Sequence, residues 1–167
     1  MEQLTIADKA LRTLSILEKA IIDTSSILYI QKAGYFDVLA RTIQLYSIPE
    51  VISEMKTQVA GLRLIHPYGS PSISTDQKLI SCALEYKLAM ISEDKSILRA
   101  MRREGAPYYN ALIMLNFLLF SQKINDDSYR RYYSALENIA RYSETVWKFG
   151  RDIYTAVQFK LHSKKPV

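Results

Sequence analysis

Apolar side chains recur along this chain in two rhythms, a helical one and short unbroken runs. Ile6, Ala10, Leu11, Leu14 and Leu17 fall at helical spacing, so residues 5–18 are predicted to form an amphipathic helix. The run 20–22 (Ala-Ile-Ile) ends in Asp23 and reads as a buried strand. A helix follows over residues 25–32, stopped by Gly34. A shorter one covers 35–41, and 43–46 is a second strand candidate. Ser47 is the expected N-cap of the next helix, with Pro49 near its first turn and Glu50 completing a capping box. That helix runs to about Val59 and ends at Gly61.

Residues 61–74 are turn-rich, with a strand candidate at 62–65. Ser74 and Gln77 give another capping box, opening a helix over 76–87. An apolar strand at 88–91 is followed by Ser92-Glu93-Asp94, and 95–103 is a helix closed by Gly105. A short strand at 107–109 and a strongly apolar helix at 110–121 come next. Asn125 caps a helix to about Arg141, and Ser143 caps a final one toward Phe159. Strands alternating with helices imply a parallel sheet with right-handed crossovers. The expected fold is a three-layer α/β/α domain, with helices added at each end.

Composition adjusts this picture. The chain has 167 residues, enough for one self-sufficient core. Its single Cys forbids an intrachain disulfide. The longest apolar run, residues 111–120, is broken by Asn116 and far short of a membrane span. The N-terminus MEQLTIADKALRTL does not read as a signal peptide, so a cytoplasmic address and no membrane partner are expected. The net charge of +5 is unevenly placed. Residues 1–94 carry 9 basic and 11 acidic side chains (−2), and residues 95–167 carry 13 and 6 (+7). A basic balance favours polyanionic partners.

Ligands of an open parallel sheet bind at the carboxyl ends of its strands, where strand order reverses. Asp23 and Asp94 each follow a strand there, although each also precedes a helix and would serve as its N-cap. Asp76 lies in a first helical turn, where the helix dipole favours an acid. Glu54 lies one turn past Glu50 and either faces solvent or joins the strand ends. Four acids meeting in one cleft would repel each other unless a divalent cation lay among them. All-oxygen ligation selects a hard ion, Mg²⁺ or Mn²⁺. His66, His162 and Cys82 cannot build a zinc site of the usual kind; His66 reads as a surface residue and Cys82 as core. The chain has no phosphate-binding glycine loop and no nucleophile elbow.

The residues resemble a known family, the PIN domain, a metal-dependent nuclease fold that includes VapC-type toxins. The resemblance is carried by Ala20-Ile21-Ile22-Asp23-Thr24-Ser25-Ser26-Ile27-Leu28, by Ile48-Pro49-Glu50-Val51-Ile52-Ser53-Glu54-Met55, by Ser74-Thr75-Asp76-Gln77-Lys78-Leu79-Ile80 and by Ala89-Met90-Ile91-Ser92-Glu93-Asp94-Lys95-Ser96-Ile97-Leu98. It covers about residues 19–142. It implies a PIN-like core there with a central parallel sheet of four to five strands, an N-terminal extension at 1–18, and a C-terminal helix and basic tail at 143–167. It implies Asp23, Asp76 and Asp94 as ligands of Mg²⁺ or Mn²⁺, Glu54 as holder of metal-bound water, and Ser25 and Ser92 as hydrogen-bonding supports of the acids. Glu93 adds a fifth carboxylate that joins Asp94 or replaces it. The implied reaction is hydrolysis of RNA phosphodiester bonds, as in the toxin of a toxin–antitoxin pair. The chain departs from the family at Tyr109-Asn110, where many members carry a glycine-containing turn, and at its two terminal helices.

Lys95, Arg99 and Arg103 share one helical face and would grip phosphates beside the scissile one, or simply lie in solvent. Arg130, Arg131, Lys160, Lys164 and Lys165 read as solvated. Tyr129, Tyr132 and Tyr133 read as core-edge or interface residues rather than base-stacking ones. The terminal helices serve a second copy, an antitoxin protein, or simply cover the core; a homodimer is expected. Two rivals to the nuclease stand: an inactive PIN-like scaffold that binds nucleic acid or protein, and a receiver domain. The latter wants adjacent acids after the first strand, which Asp23-Thr24 does not supply.

Overall fold

A computed structural model describes residues 4–67 and 73–163. Lys164 and Lys165 lie outside them, as do residues 68–72 of the turn-rich stretch. In chain order the elements are α1 (Ile6–Leu14), β1 (Lys19–Ile22), α2 (Thr24–Ala33), α3 (Phe36–Thr42), β2 (Gln44–Ser47), α4 (Pro49–Met55), β3 (Leu62–Leu64), α5 (Thr75–Glu85), β4 (Ala89–Ile91), α6 (Lys95–Arg103), β5 (Tyr108–Tyr109), α7 (Ala111–Phe120), α8 (Asp126–Ile139) and α9 (Glu144–Ser163).

All strand pairs are parallel, in the order β3-β2-β1-β4-β5. β1 is therefore central, and the chain winds outward to β3 before returning to β4 at its other side. Right-handed crossovers place α2, α3 and α4 on one face and α5 and α6 on the other, which makes three layers. α2 packs on α4, α7 and α8, while α5 packs on α6. β1 and β4 are apolar throughout their inner residues because both of their faces are covered: Ala20, Ile21, Ile22, Ala89, Met90 and Ile91 are all buried. The edge strands β3 and β5 expose Leu64 and Tyr108.

The terminal helices share this core. Leu11 and Leu14 of α1 and Ile153 and Val157 of α9 belong to the same buried cluster as the sheet. α9 packs on both α1 and α7. Gly150 permits the second contact, since a Cβ there would lie 2.3 Å from Leu112 Cδ2. Asn116, the polar break in apolar α7, is satisfied: its amide donates to Leu112 O and Gly150 O, and its oxygen accepts from the Tyr129 hydroxyl. Among the described residues no helix is long and apolar enough to cross a membrane.

One expected cap is corrected. Ser47 ends β2 and is fully buried, and its hydroxyl donates to Ile22 O at 2.8 Å. α4 starts later, with Ile48 at the N-cap position and Pro49 in its first turn. The parallel pairing with β1 holds Ser47 in the sheet. Glu50, freed from the capping box, instead meets Lys78 of α5 at 2.8 Å. The Ser74–Gln77 capping box is present as expected. Cys82 is buried and His66 exposed.

Candidate active site at the carboxyl ends of the central strands

The strand order reverses between β1 and β4, and the register there sets the site. Ile22 pairs with Ile91, so the next residues, Asp23 and Ser92, emerge side by side. The Asp23 N–H still donates to Ile91 O at 3.1 Å, which extends the ladder to the acid itself. The chain then turns into α2, with Asp23 as the N-cap. Its Oδ1 accepts from Ser26 N at 2.9 Å and from the Ser25 hydroxyl at 3.2 Å. Its Oδ2 accepts from the Ser92 hydroxyl. Burial pushes the Asp23 carboxyl up, against the pull of these hydrogen bonds.

Ser92 links two acids. While it donates to Asp23, its oxygen accepts from Asp94 N at 3.0 Å. Asp94 caps α6 as Asp23 caps α2: its Oδ1 accepts from Ser96 N at 2.7 Å, the Ser96 hydroxyl at 2.6 Å and Ile97 N at 3.3 Å. The Ser96 hydroxyl and these N–H groups hold the Asp94 carboxyl below its ordinary value. Both acids thus perform the capping work their positions suggested, and both stand at the switch point as well.

Glu54 comes from α4 and reaches across to the start of α2, where its Oε2 accepts from the Thr24 hydroxyl at 2.6 Å. This contact sets the acid against the residue that follows Asp23. Asp76, in the first turn of α5, is drawn in from the other side. Its carboxyl is pushed up first by burial and then by the negative charges of Asp94 and Glu54. The Lys78–Glu50 ion pair ties α5 to α4, one helical turn or less from Asp76 and Glu54 respectively.

Glu93 occupies the interior of the cluster. It accepts from the hydroxyls of Ser26 and Tyr142 and from Ala111 N at 3.2 and 3.3 Å. Ala111 is the first residue of α7, so a helix N-terminus also faces this carboxylate. Burial nevertheless pushes Glu93 up to about 7, and the Asp23 charge adds to the rise.

Asp23 is linked to Asp94 through Ser92 and to Glu93 through Ser26, Glu54 bonds the Thr24 hydroxyl, and Asp76 is raised in part by the charges of Asp94 and Glu54. Ser25 and Ser92 bond to Asp23 as expected. Lys95, Arg99 and Arg103 are exposed along α6, starting one residue after Asp94. Three participants carried no sequence expectation: Thr24, Ser26 and Tyr142. Ser26 was legible in principle, since its N–H stands at the third position after an N-cap Asp. Tyr142 had no such signal, being remote in sequence from every residue it touches at the site.

The donor set suits a hard divalent ion. It consists of carboxylate oxygens, with neither His nor Cys among the acids, and it holds mutual repulsion that raises Asp76. Asp76 enters no side-chain hydrogen bond found among the described residues, and Glu54 Oε1 and Asp94 Oδ2 enter none either. Oxygens therefore remain for a cation. The spacing is open: among the described residues, no three His, Cys, Asp or Glu side chains close to the spacing of a formed metal cage. Comparison with known proteins returns no matching family model and no matching curated protein.

Proposed function

We propose that the chain is a metal-dependent nuclease of the PIN type that hydrolyses RNA phosphodiester bonds with Mg²⁺ or Mn²⁺. The observation that carries this reading is that Asp23 and Asp94 cap the helices leaving the β1/β4 switch point, with Glu54 bonded to Thr24 next to Asp23 and Asp76 raised in part by the charges of Asp94 and Glu54. Such a gathering costs repulsion, which a bound cation would relieve. Asp23, Asp76 and Asp94 would hold the ion, and Glu54 would orient a water through the oxygen that Thr24 leaves free. The bound cation would supply an acidified water and a counter-charge to the phosphate in the transition state. Ser25 and Ser92 hold the Asp23 carboxylate in one orientation. Lys95, Arg99 and Arg103 would take phosphates flanking the cut, given that they are exposed on the helix that Asp94 caps.

Two partners extend the proposal. Exposed Ile6 and Phe159, on the paired helices α1 and α9, give these helices an apolar surface for a second copy or an antitoxin-like protein. The rival reading, a scaffold that binds without cutting, has the open spacing of the acids in its favour. One experiment separates them. Unpaired RNA is incubated with the purified chain in Mg²⁺ or Mn²⁺, with a chelator, and with Asp23→Asn. Cleavage that needs the ion and is lost in the variant supports the nuclease. RNA retention without cleavage supports the scaffold.

A further inference from the structure

Glu93 is built into the fold more thoroughly than a metal ligand needs to be. Its two oxygens accept from three separate stretches of chain: Ser26 of α2, Ala111 at the start of α7, and Tyr142 between α8 and α9. Ala111 is itself gripped from the other side, because the buried Tyr35 hydroxyl donates to its carbonyl at 2.8 Å. The Glu93 carboxylate is thereby committed to the protein, while the neighbouring Asp94 keeps Oδ2 out of the described hydrogen bonds.

Ser26 joins this carboxylate to the cluster. It is fully buried. Its N–H donates to Asp23 Oδ1 at 2.9 Å and its hydroxyl donates to Glu93. Ser26 thus touches both acids, Glu93 through its hydroxyl and Asp23 through its N–H in the first turn of α2. Tyr142 in turn fixes Glu93. Its ring stands edge-on to Tyr29 at 6.2 Å and to Trp147 of α9 at 5.1 Å. Its three donors would lose their acceptor if an apolar side chain stood in the place of Glu93, so the carboxylate is the centre that joins these stretches of chain.

From this geometry we infer that Tyr142 and Glu93 are positioning residues. Through Ser26 they lock the Asp23 carboxylate in the orientation that receives a divalent cation, so a side chain beyond α8 governs an acid at the end of the first strand. The inference rests on the nuclease reading above and assigns the C-terminal helices a role in the site beyond covering the core.

The test uses Tyr142→Phe, which removes one hydroxyl and keeps the ring contacts. Tyr154→Phe, which lies in the α8–α9 aromatic cluster away from Glu93, serves as the control. The full chain is titrated with Mn²⁺ by calorimetry, melted without ion, and assayed on unpaired RNA for kcat and KM. Tyr142→Phe is expected to bind Mn²⁺ several-fold more weakly, less than the roughly 10- to 100-fold loss for groups that touch a metal ligand directly. Its kcat should fall with KM little changed, while Tyr154→Phe keeps the wild-type affinity. If Tyr142→Phe does not fold, Ser26→Ala carries the test, because it deletes the link to Glu93 and keeps the N–H to Asp23. Wild-type Mn²⁺ affinity in these variants, even with a lowered melting temperature, overturns the inference alone. A wild-type chain that binds no Mn²⁺ overturns the nuclease reading and the inference with it.

Discussion

The acids divide into an inner pair and an outer trio that are held in opposite ways. Asp23 and Glu93 have both oxygens engaged by donors from the protein. Glu54, Asp76 and Asp94 are exposed and each keeps at least one oxygen outside the hydrogen bonds of the described residues. The inner carboxyls are raised chiefly by burial. In the outer group, Asp76 is raised partly by its neighbours' charges, and Asp94 is lowered by its own cap. The difference teaches that orientation and capacity are supplied separately. The fold fixes the inner acids in place, whereas the outer ones leave charge and lone pairs unspent, which is what a cation requires. Asp23 belongs to both groups in chemistry, because an ionised oxygen that accepts one bond can still accept another contact.

The largest expected effect breaks the pair. Asp23→Asn should lower ion-dependent cleavage by ~10³-fold or more, the scale of losing a group that acts in the transition state. Asn keeps the Oδ1 cap on Ser26 N but cannot accept from the Ser92 hydroxyl, so the fold should survive with a melting temperature lower by about 4–8 °C, the equivalent of ~2 kcal/mol. A cleaving variant, or an unfolded one, would erase the distinction between orienting and folding roles.

The pH dependence of stability, measured by denaturant titration in chelator, sharpens the contrast further. Glu93 is raised from 4.5 to about 7 in the folded chain. Across that window the folded state holds a proton the unfolded state has released. Stability should therefore fall as pH rises from 4.5 to about 7, by on the order of 3 kcal/mol, and level off above. Glu93→Gln should flatten this slope. Asp94 acts in the opposite sense. Its lowered carboxyl contributes stability above its ordinary range that is lost as pH falls through the folded value. A slope unchanged in Glu93→Gln would remove Glu93 from the interior role given to it.

The outer trio predicts a thermal shift. Mn²⁺ at about 100 times its Kd should stabilise the chain by ~2.7 kcal/mol. Asp76→Asn should abolish that shift and, without ion, should match or exceed wild-type stability, since it removes repulsion from Asp94 and Glu54. A variant destabilised without ion would show that Asp76 serves the fold. The smallest effect concerns the tie between α4 and α5. Lys78→Met should cost about 1 kcal/mol by leaving Glu50 unpaired, and should weaken Mn²⁺ binding a few-fold by loosening Glu54 against Asp76.

Much of this arrangement was legible before any coordinates. Asp23 and Asp94 declared themselves as acids directly after buried runs, because parallel strands covered on both faces must be apolar to their last residue. The Ser74–Gln77 box announced the start of α5, and so the height of Asp76, through local hydrogen bonding alone. Ser47 shows where local logic failed. Its sequence neighbourhood is that of a cap, yet pairing with β1 kept it in the sheet and gave its hydroxyl to Ile22 O. Glu54 stayed undecided between solvent and site because nothing in a short helix says which neighbour it will meet. In the fold it is exposed and also accepts from the Thr24 hydroxyl.

What the sequence determined by itself was periodic or local: the alternation of strands and helices, the parallel sheet, the caps, and the placing of acids at strand ends. Such features follow from spacing and from interactions over three or four residues, so they can be read in one dimension. The tertiary structure decided which distant residues share an environment. The β1–β4 register sets Ser92 beside Asp23, and packing of the last helices brings Tyr142 onto Glu93. Those contacts depend on how whole layers settle on one another, and burial, which gives Glu93 its unusual carboxyl, exists only once the layers have met.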